Sequence, residues 1–135
     1  MVRIMSLPRM YLAAAYDRRA EIDTLAYELD RVGFRVVSTW HKPGDDPLPL
    51  AHQAHRDLDE IEKCQYLVHL TGGGKGGRIF EAGYAYGLGK EILIVGDRET
   101  VFDHMHGDVR QFSTLDDFWE WAADCAAQEH ASGED

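Results

Sequence analysis

The chain has 135 residues, 44% of them hydrophobic, enough for one domain around one core. It carries 14 basic and 24 acidic residues, a net charge of −10 and an isoelectric point near 5.0. That balance excludes a protein that wraps duplex nucleic acid, which needs a basic face, and leaves room for a small anionic ligand held by a few local cations.

Cys64 and Cys125 are the only cysteines and do not make a disulfide framework. No apolar run approaches the roughly 18 residues of a membrane span. Met1 to Arg9 lacks the apolar stretch of a signal peptide. The expectation is a cytoplasmic protein with no membrane or nucleic-acid partner.

In chain order, Met10 to Ala15 reads as a buried strand. A helix follows from Asp17 to Val32, with Ile22, Leu25, Ala26 and Leu29 at helical spacing and Gly33 as its stop. Phe34 to Thr39 is rich in β-branched residues and reads as the second strand. His41 to Pro49, with its prolines and glycine, is a loop. Leu50 to Lys63 is a helix with Ala54, Leu58 and Ile61 on one face. Gln65 to Thr71 is the third strand, and a glycine-rich loop leads from it into a helix over Arg78 to Leu88. Glu91 to Val95 is the fourth strand and Val109 to Phe112 a short fifth. The last helix runs from Thr114 to Ala127, opened by a Thr114/Asp117 capping box and striped with Leu115, Phe118, Trp119 and Ala122. Residues 1–127 form the domain and 128–135 a polar, frayed tail.

Strand and helix alternate throughout, which predicts an α/β fold: one doubly wound parallel sheet of four to five strands in a flavodoxin-like, three-layer sandwich. Ligands of such sheets sit beyond the carboxyl ends of the strands, where the strand order reverses. Here that crevice lies between strands one and three. Tyr16, Arg18 and Arg19 follow the first strand, and Trp40 and His41 follow the second, so topology sends them toward it.

Glu81 is the only charge in the stretch Ile79 to Gly89. An all-apolar helix is expected to be buried. Gly83 and Gly87, each costing about 1 kcal/mol against Ala in a helix, suggest close packing against a neighbour. A carboxylate there needs a partner. It is either a complement to the helix dipole or a nucleophile or base at the floor of the crevice. The loop before it, Thr71 to Arg78, joins strand to helix and can turn backbone N–H groups toward a phosphate. The G-x-G-x-x-G fingerprint is not diagnostic here, because no acidic residue stands about 20 positions on at the end of a second strand, and the Walker pattern fails after Lys75. Gly74, Gly76 and Gly77 open the loop to a ligand, and Lys75 and Arg78 favour an anionic one. On the second helix Asp57 lies beside the apolar stripe and is the acid best placed to look inward. Asp59 and Glu60 lie round toward solvent.

These pieces resemble the nucleoside 2-deoxyribosyltransferase-like superfamily, which includes the 2′-deoxynucleoside 5′-monophosphate N-glycosidases. The matching segments are Tyr11-Leu12-Ala13, Asp57-Leu58-Asp59-Glu60-Ile61, Gly77-Arg78-Ile79-Phe80-Glu81-Ala82-Gly83-Tyr84-Ala85 and Leu88-Gly89-Lys90. The resemblance runs from about Met10 to Val95, and the Glu-x-Gly-Tyr-Ala segment is its most specific part. It implies that Glu81 attacks the anomeric carbon to form a covalent glycosyl-enzyme, that Asp57 assists the leaving base, and that Tyr11 positions Glu81. It also implies a homodimer or larger homo-oligomer and no cofactor.

Three departures sharpen the expectation. Ala13-Ala14-Ala15 replaces the family's usual Ala-Gly-Pro or Cys-Gly-Ser. Lys75 stands six residues before Glu81, where the transferases often carry an aspartate for a free 5′-hydroxyl; a lysine pairs with a 5′-phosphate instead. Arg78 replaces a small or hydroxyl residue. The expected activity is hydrolysis of a (deoxy)nucleoside 5′-monophosphate. The alternatives are a 2-deoxyribosyltransferase on free nucleosides and a nucleotide-binding sensor without turnover.

His52-x-x-His55 and Asp103-His104-x-His106-x-Asp108 have metal-site residue types but no third ligand at a diagnostic spacing, so no metal is expected. Trp121 lies off the stripe of the last helix and is expected in an oligomer interface.

Overall fold

The computed structural model describes residues 7–44, 48–105 and 109–132. Its strands are β1 (Arg9–Ala13), β2 (Arg35–Val36), β3 (Tyr66–Leu70), β4 (Glu91–Val95) and β5 (Arg110–Phe112). Its helices are α1 (Arg19–Arg31), α2 (Leu50–Lys63), α3 (Gly77–Gly87) and α4 (Leu115–Ser132), with 3-10 turns at Tyr16–Arg18 and Val101–His104. All pairings are parallel and the order is β2-β1-β3-β4-β5. This is the doubly wound, flavodoxin-like arrangement, with the order reversing between β1 and β3.

Alternation along the central strands feeds two cores. Met10 and Leu12, Val68 and Leu70, and Leu93 and Val95 pack with Ile22, Leu25 and Leu29 of α1 and with Phe118 and Ala122 of α4. Tyr11 and Ala13, Leu67, and Ile92 and Ile94 pack with Ile61 of α2 and Ala82 and Ala85 of α3. Helices cover both faces, so the strands read as near-continuous apolar runs rather than alternating ones. No helix among the described residues is long and apolar enough to cross a membrane.

The C-terminus of α1 closes as expected. Gly33 takes φ 114°, its N–H donates to Asp30 O, and Phe34 N–H reaches back to Leu29 O at 3.0 Å. Asp117 N–H donates to Thr114 Oγ1 at the start of α4.

Several expectations are corrected. The second strand is far shorter than Phe34–Thr39. Beyond Val36 only the Val37 amide still reaches Met10 O, at 2.8 Å. The Leu12 amide then bonds the Ser38 side chain instead of a backbone carbonyl, so the ladder ends. The first helix opens as a 3-10 turn, not at Asp17. The last helix continues past Ala127 into the expected tail and ends at Ser132, anchored by buried Ala122 and Ala126. Trp121, expected in an oligomer interface, is partly buried and packs against Tyr66, Phe112 and Phe118 of its own chain, under the Arg110 guanidinium. The α3 helix is not buried all round: Phe80, Tyr86 and Leu88 are exposed. Nothing lies within 4 Å of where a Gly87 Cβ would stand, and only Met105 approaches Gly83, so the Gly87 site is not a close contact.

Candidate active site

A cavity of about 1130 Å³ opens where the strand order reverses, at the carboxyl ends of β1 and β3. Ala14, Ala15 and Tyr16 line it from the end of β1, Thr39, Trp40 and Lys42 from beyond β2, and Arg56 and Asp57 from α2. The loop from Gly74 to Arg78, with Phe80 and Glu81 of α3, forms a further wall.

Glu81 sits one turn into α3, so its carboxylate faces the sheet. There the hydroxyl of fully buried Tyr11 donates to Glu81 Oε2. Burial pushes the Glu81 pKa up to about 7; the Tyr11 hydrogen bond pulls against it, and the charges of Asp57 and Glu60 add to the rise. Burial, and then the Glu81 charge, hold the Tyr11 pKa well above its usual value, so it stays a phenol and a donor. Asp57 lines the same cavity, with Oδ1 accepting from the Arg56 guanidinium at 3.0 Å. Burial raises its pKa and Arg56 opposes the rise.

Two readings of α2 need correction. Glu60 is half-buried and held: it accepts from the Thr39 amide at 3.1 Å and the Thr39 hydroxyl at 2.6 Å. It thereby ties α2 to the segment after β2 and adds a third carboxylate near Glu81. Ala54 is exposed and borders the cavity instead of the core.

In the glycine-rich loop Gly72, Gly73, Gly74 and Gly76 all take positive φ, which side-chain-bearing residues rarely adopt. Gly74 also passes so close to Ala15 that a Cβ would stand 3.3 Å from the alanine methyl. The small residues after β1 and the glycines of this loop are therefore complementary. Lys75 is exposed on the cavity wall.

Arg78 departs from its expected role. It is 4% exposed. Its Nε donates to Gly73 O, and one terminal nitrogen approaches His69 Nε2 at 2.8 Å and Asp103 Oδ1 at 3.1 Å. The guanidinium therefore points into the protein, not at a ligand. Burial alone would raise the Asp103 pKa, but the Thr100 and Glu99 amides and Arg78 outweigh it and hold the carboxyl below its usual range.

Of the residues expected beyond the first two strands, Tyr16, Arg19 and Trp40 line the cavity. Arg19 donates to the Tyr16 hydroxyl at 2.8 Å and lies over its ring. The Trp40 indole N–H is held by Leu12 O at 2.7 Å. Arg18 turns away, to Glu21 and Thr71 O. His41 is also withdrawn: Nδ1 meets Asp23 Oδ1 at 2.8 Å and Nε2 meets Ser38 Oγ at 3.0 Å. This trio has the residue types of a hydrolase triad, but Ser38 is 0% exposed and already accepts the Leu12 amide, so it serves as a cross-brace.

Lys42, Arg56 and Phe80 line the cavity and were not singled out by the sequence. Lys42 lies in a loop without periodicity. Arg56 and Phe80 precede Asp57 and Glu81, so proximity to those acids was the available signal. His52 and His55 are exposed on α2. Asp103 is committed to Arg78, while His106 and Asp108 lie outside the described residues. No cluster of three metal-ligating side chains occurs among the described residues.

No protein-family model matches the chain, and no curated protein matches it. Solved structures do. A CMP N-glycosidase of Clostridium botulinum superposes with TM-score 0.64 at 19% identity, over 84% of this chain and 96% of that one. A 2-deoxyribosyltransferase of Leishmania mexicana gives 0.61 at 15% identity, over 86% and 97%. A conserved protein of Enterococcus faecalis gives 0.55 at 15% identity, over 89% and 88%. With the parallel five-stranded sheet and its strand order, these likenesses show that the chain shares the α/β fold of these proteins.

Proposed function

We propose that the protein cleaves the N-glycosidic bond of a (deoxy)nucleoside 5′-monophosphate, with Glu81 as nucleophile. The observation that carries this reading is the pairing of Glu81 with Tyr11 beside Asp57, in a cavity also walled by Lys75, Lys42 and Arg19. The fold shared with a CMP N-glycosidase supports it.

With a pKa of about 7, Glu81 is ionised in a large fraction of molecules near neutrality. The ionised oxygen attacks C1′ as the bond to the base breaks and its electron pair leaves on the base nitrogen. Asp57, whose pKa is raised by burial, delivers a proton to that nitrogen. Water then attacks the same carbon, gives up a proton to Asp57, and releases the sugar 5-phosphate and free Glu81. The aromatic faces of Trp40, Tyr16 and Phe80 are suited to the base, and the cations to the phosphate. The protein acts on a small molecule and needs no cofactor for this chemistry.

A panel of nucleosides, deoxynucleosides and their 5′-monophosphates, with free base followed by chromatography, tests the reading. Base release from a 5′-monophosphate that disappears in Glu81→Ala is the expected result. Release that survives Glu81→Ala removes the mechanism. Exchange seen only with a second base present favours the transferase reading, and binding without turnover favours a sensor.

A further inference from the structure

Arg78 is the one buried arginine among the described residues, and its hydrogen bonds reach three separate pieces of chain. Asp103, in the 3-10 turn after β4, is fixed first: Oδ2 accepts the Glu99 and Thr100 amides at 2.9 and 3.0 Å. Its Oδ1 then receives the Arg78 guanidinium. His69, on β3, meets the same guanidinium nitrogen. A guanidinium has only donors, so His69 Nε2 must accept, which selects the neutral ring with its proton on Nδ1. Held from these sides, the planar group aims Nε at Gly73 O, 3.1 Å away.

The consequence follows from the planarity of the peptide bond. In a trans peptide the carbonyl and the following N–H point in opposite directions. A Gly73 carbonyl drawn inward to Arg78 turns the Gly74 N–H outward, and Gly74 lines the cavity.

We propose that Arg78, clamped by Asp103 and His69, is a positioning residue that orients the Gly73–Gly74 peptide so that the Gly74 amide meets the substrate phosphate. This rests on the reading of a 5′-phosphate substrate given above. The Arg78 charge is largely offset at the cavity by Asp103, 3.1 Å away. Long-range attraction for the anion comes from Lys75, Lys42 and Arg19. Positioning and charge are thus divided between different residues, and salt distinguishes them, since it screens exposed charges and not buried pairs.

The test uses the full chain and ribose 5-phosphate as probe. Amide resonances are followed by NMR during titration, and affinity is measured across a range of salt concentrations. In the unaltered protein the Gly74 amide shifts on binding. Arg78→Met weakens binding about tenfold, the scale of one charge-assisted hydrogen bond, and leaves the salt dependence unchanged. Lys75→Met flattens the salt dependence. Arg78→Lys keeps the charge beside Asp103, and with it a folded protein, but cannot bridge Asp103, His69 and Gly73 together, so it binds as weakly as Arg78→Met.

A silent Gly74 amide in the unaltered protein overturns the proposal. So does Arg78→Lys that binds as the unaltered protein does, or Arg78→Met that flattens the salt dependence as Lys75→Met does. Base release is read separately. Its absence alongside a responsive Gly74 removes the proposed reaction and leaves the positioning role standing.

Discussion

Tyr11 and Glu81, 70 residues apart in the chain, share a hydrogen bond at the floor of the cavity, the phenol donating to the carboxylate. Burial raises the Glu81 pKa, and this bond is the largest influence that lowers it. Tyr11 thus favours the ionised Glu81 carboxylate in a site that is otherwise too dry and too acidic for it.

Tyr11→Phe removes that donor. In the proposed mechanism base release requires ionised Glu81, so the expected kcat/KM of the unaltered protein rises with pH through about 7. In the variant that limb moves to higher pH, and activity at pH 7 falls about tenfold, as expected for losing one hydrogen bond to a charged group. A pH–rate profile checks this; a limb that stays in place contradicts the role given to Tyr11.

Glu81→Gln should stabilise the fold above neutrality. The folded pKa of about 7 lies above the ordinary 4.5, so protonation favours the folded state. That stability is fully present below pH 4.5 and is lost as pH rises through 7. The difference of about 2.5 pH units corresponds to a penalty on the order of 3 kcal/mol, an upper bound because Glu81 is partly open to water. Urea denaturation should find Glu81→Gln more stable than the unaltered protein at pH 8 and matched to it near pH 4.

Asp103→Ala leaves the buried Arg78 charge without its partner and should cost about 3–5 kcal/mol at pH 7. The depressed Asp103 pKa gives the opposite pH dependence. Its contribution is present above the ordinary value of 3.8 and disappears as pH falls through the folded pKa. The stability gap between the two proteins should narrow in acid. A gap of the same size at pH 2.5 and pH 7 would show that Asp103 acts by packing alone.

Lys75→Asp exchanges the cation proposed to pair with a phosphate for an acceptor of a free hydroxyl. Its kcat/KM on a nucleoside 5′-monophosphate should fall at least about tenfold, while that on the matching free nucleoside holds or rises. Equal losses on both substrates would remove Lys75 from phosphate recognition.

Gly74→Ala tests the fit between the loop and the end of β1. The residue takes φ 85° and its Cβ would press on Ala15 at 3.3 Å, so a loss of at least about 1 kcal/mol is expected from backbone strain. Thermal or urea denaturation measures it, and an unchanged stability would mean that the loop relaxes freely.

The alternation of apolar runs with helical stripes, the stop at Gly33 and the lone charge of Glu81 are local signals, carried by apolar and β-branched runs, by the 3.6-residue helical period and by single-residue conformational limits. They determined the layered fold, the boundaries of α2 and β4, and the crevice to search. They also placed Asp57 on the inward edge of its helix. What they did not contain is which partner a polar side chain finds. Arg78 reads as a phosphate ligand in sequence and is turned inward by Asp103, 25 residues away. His41 follows β2 toward the crevice in topology and is withdrawn by Asp23 and Ser38. Glu60 reads as solvated until Thr39 is brought against it. A buried charge goes to the partner that best offsets its lost hydration, and only the packing of distant segments decides which groups come within reach.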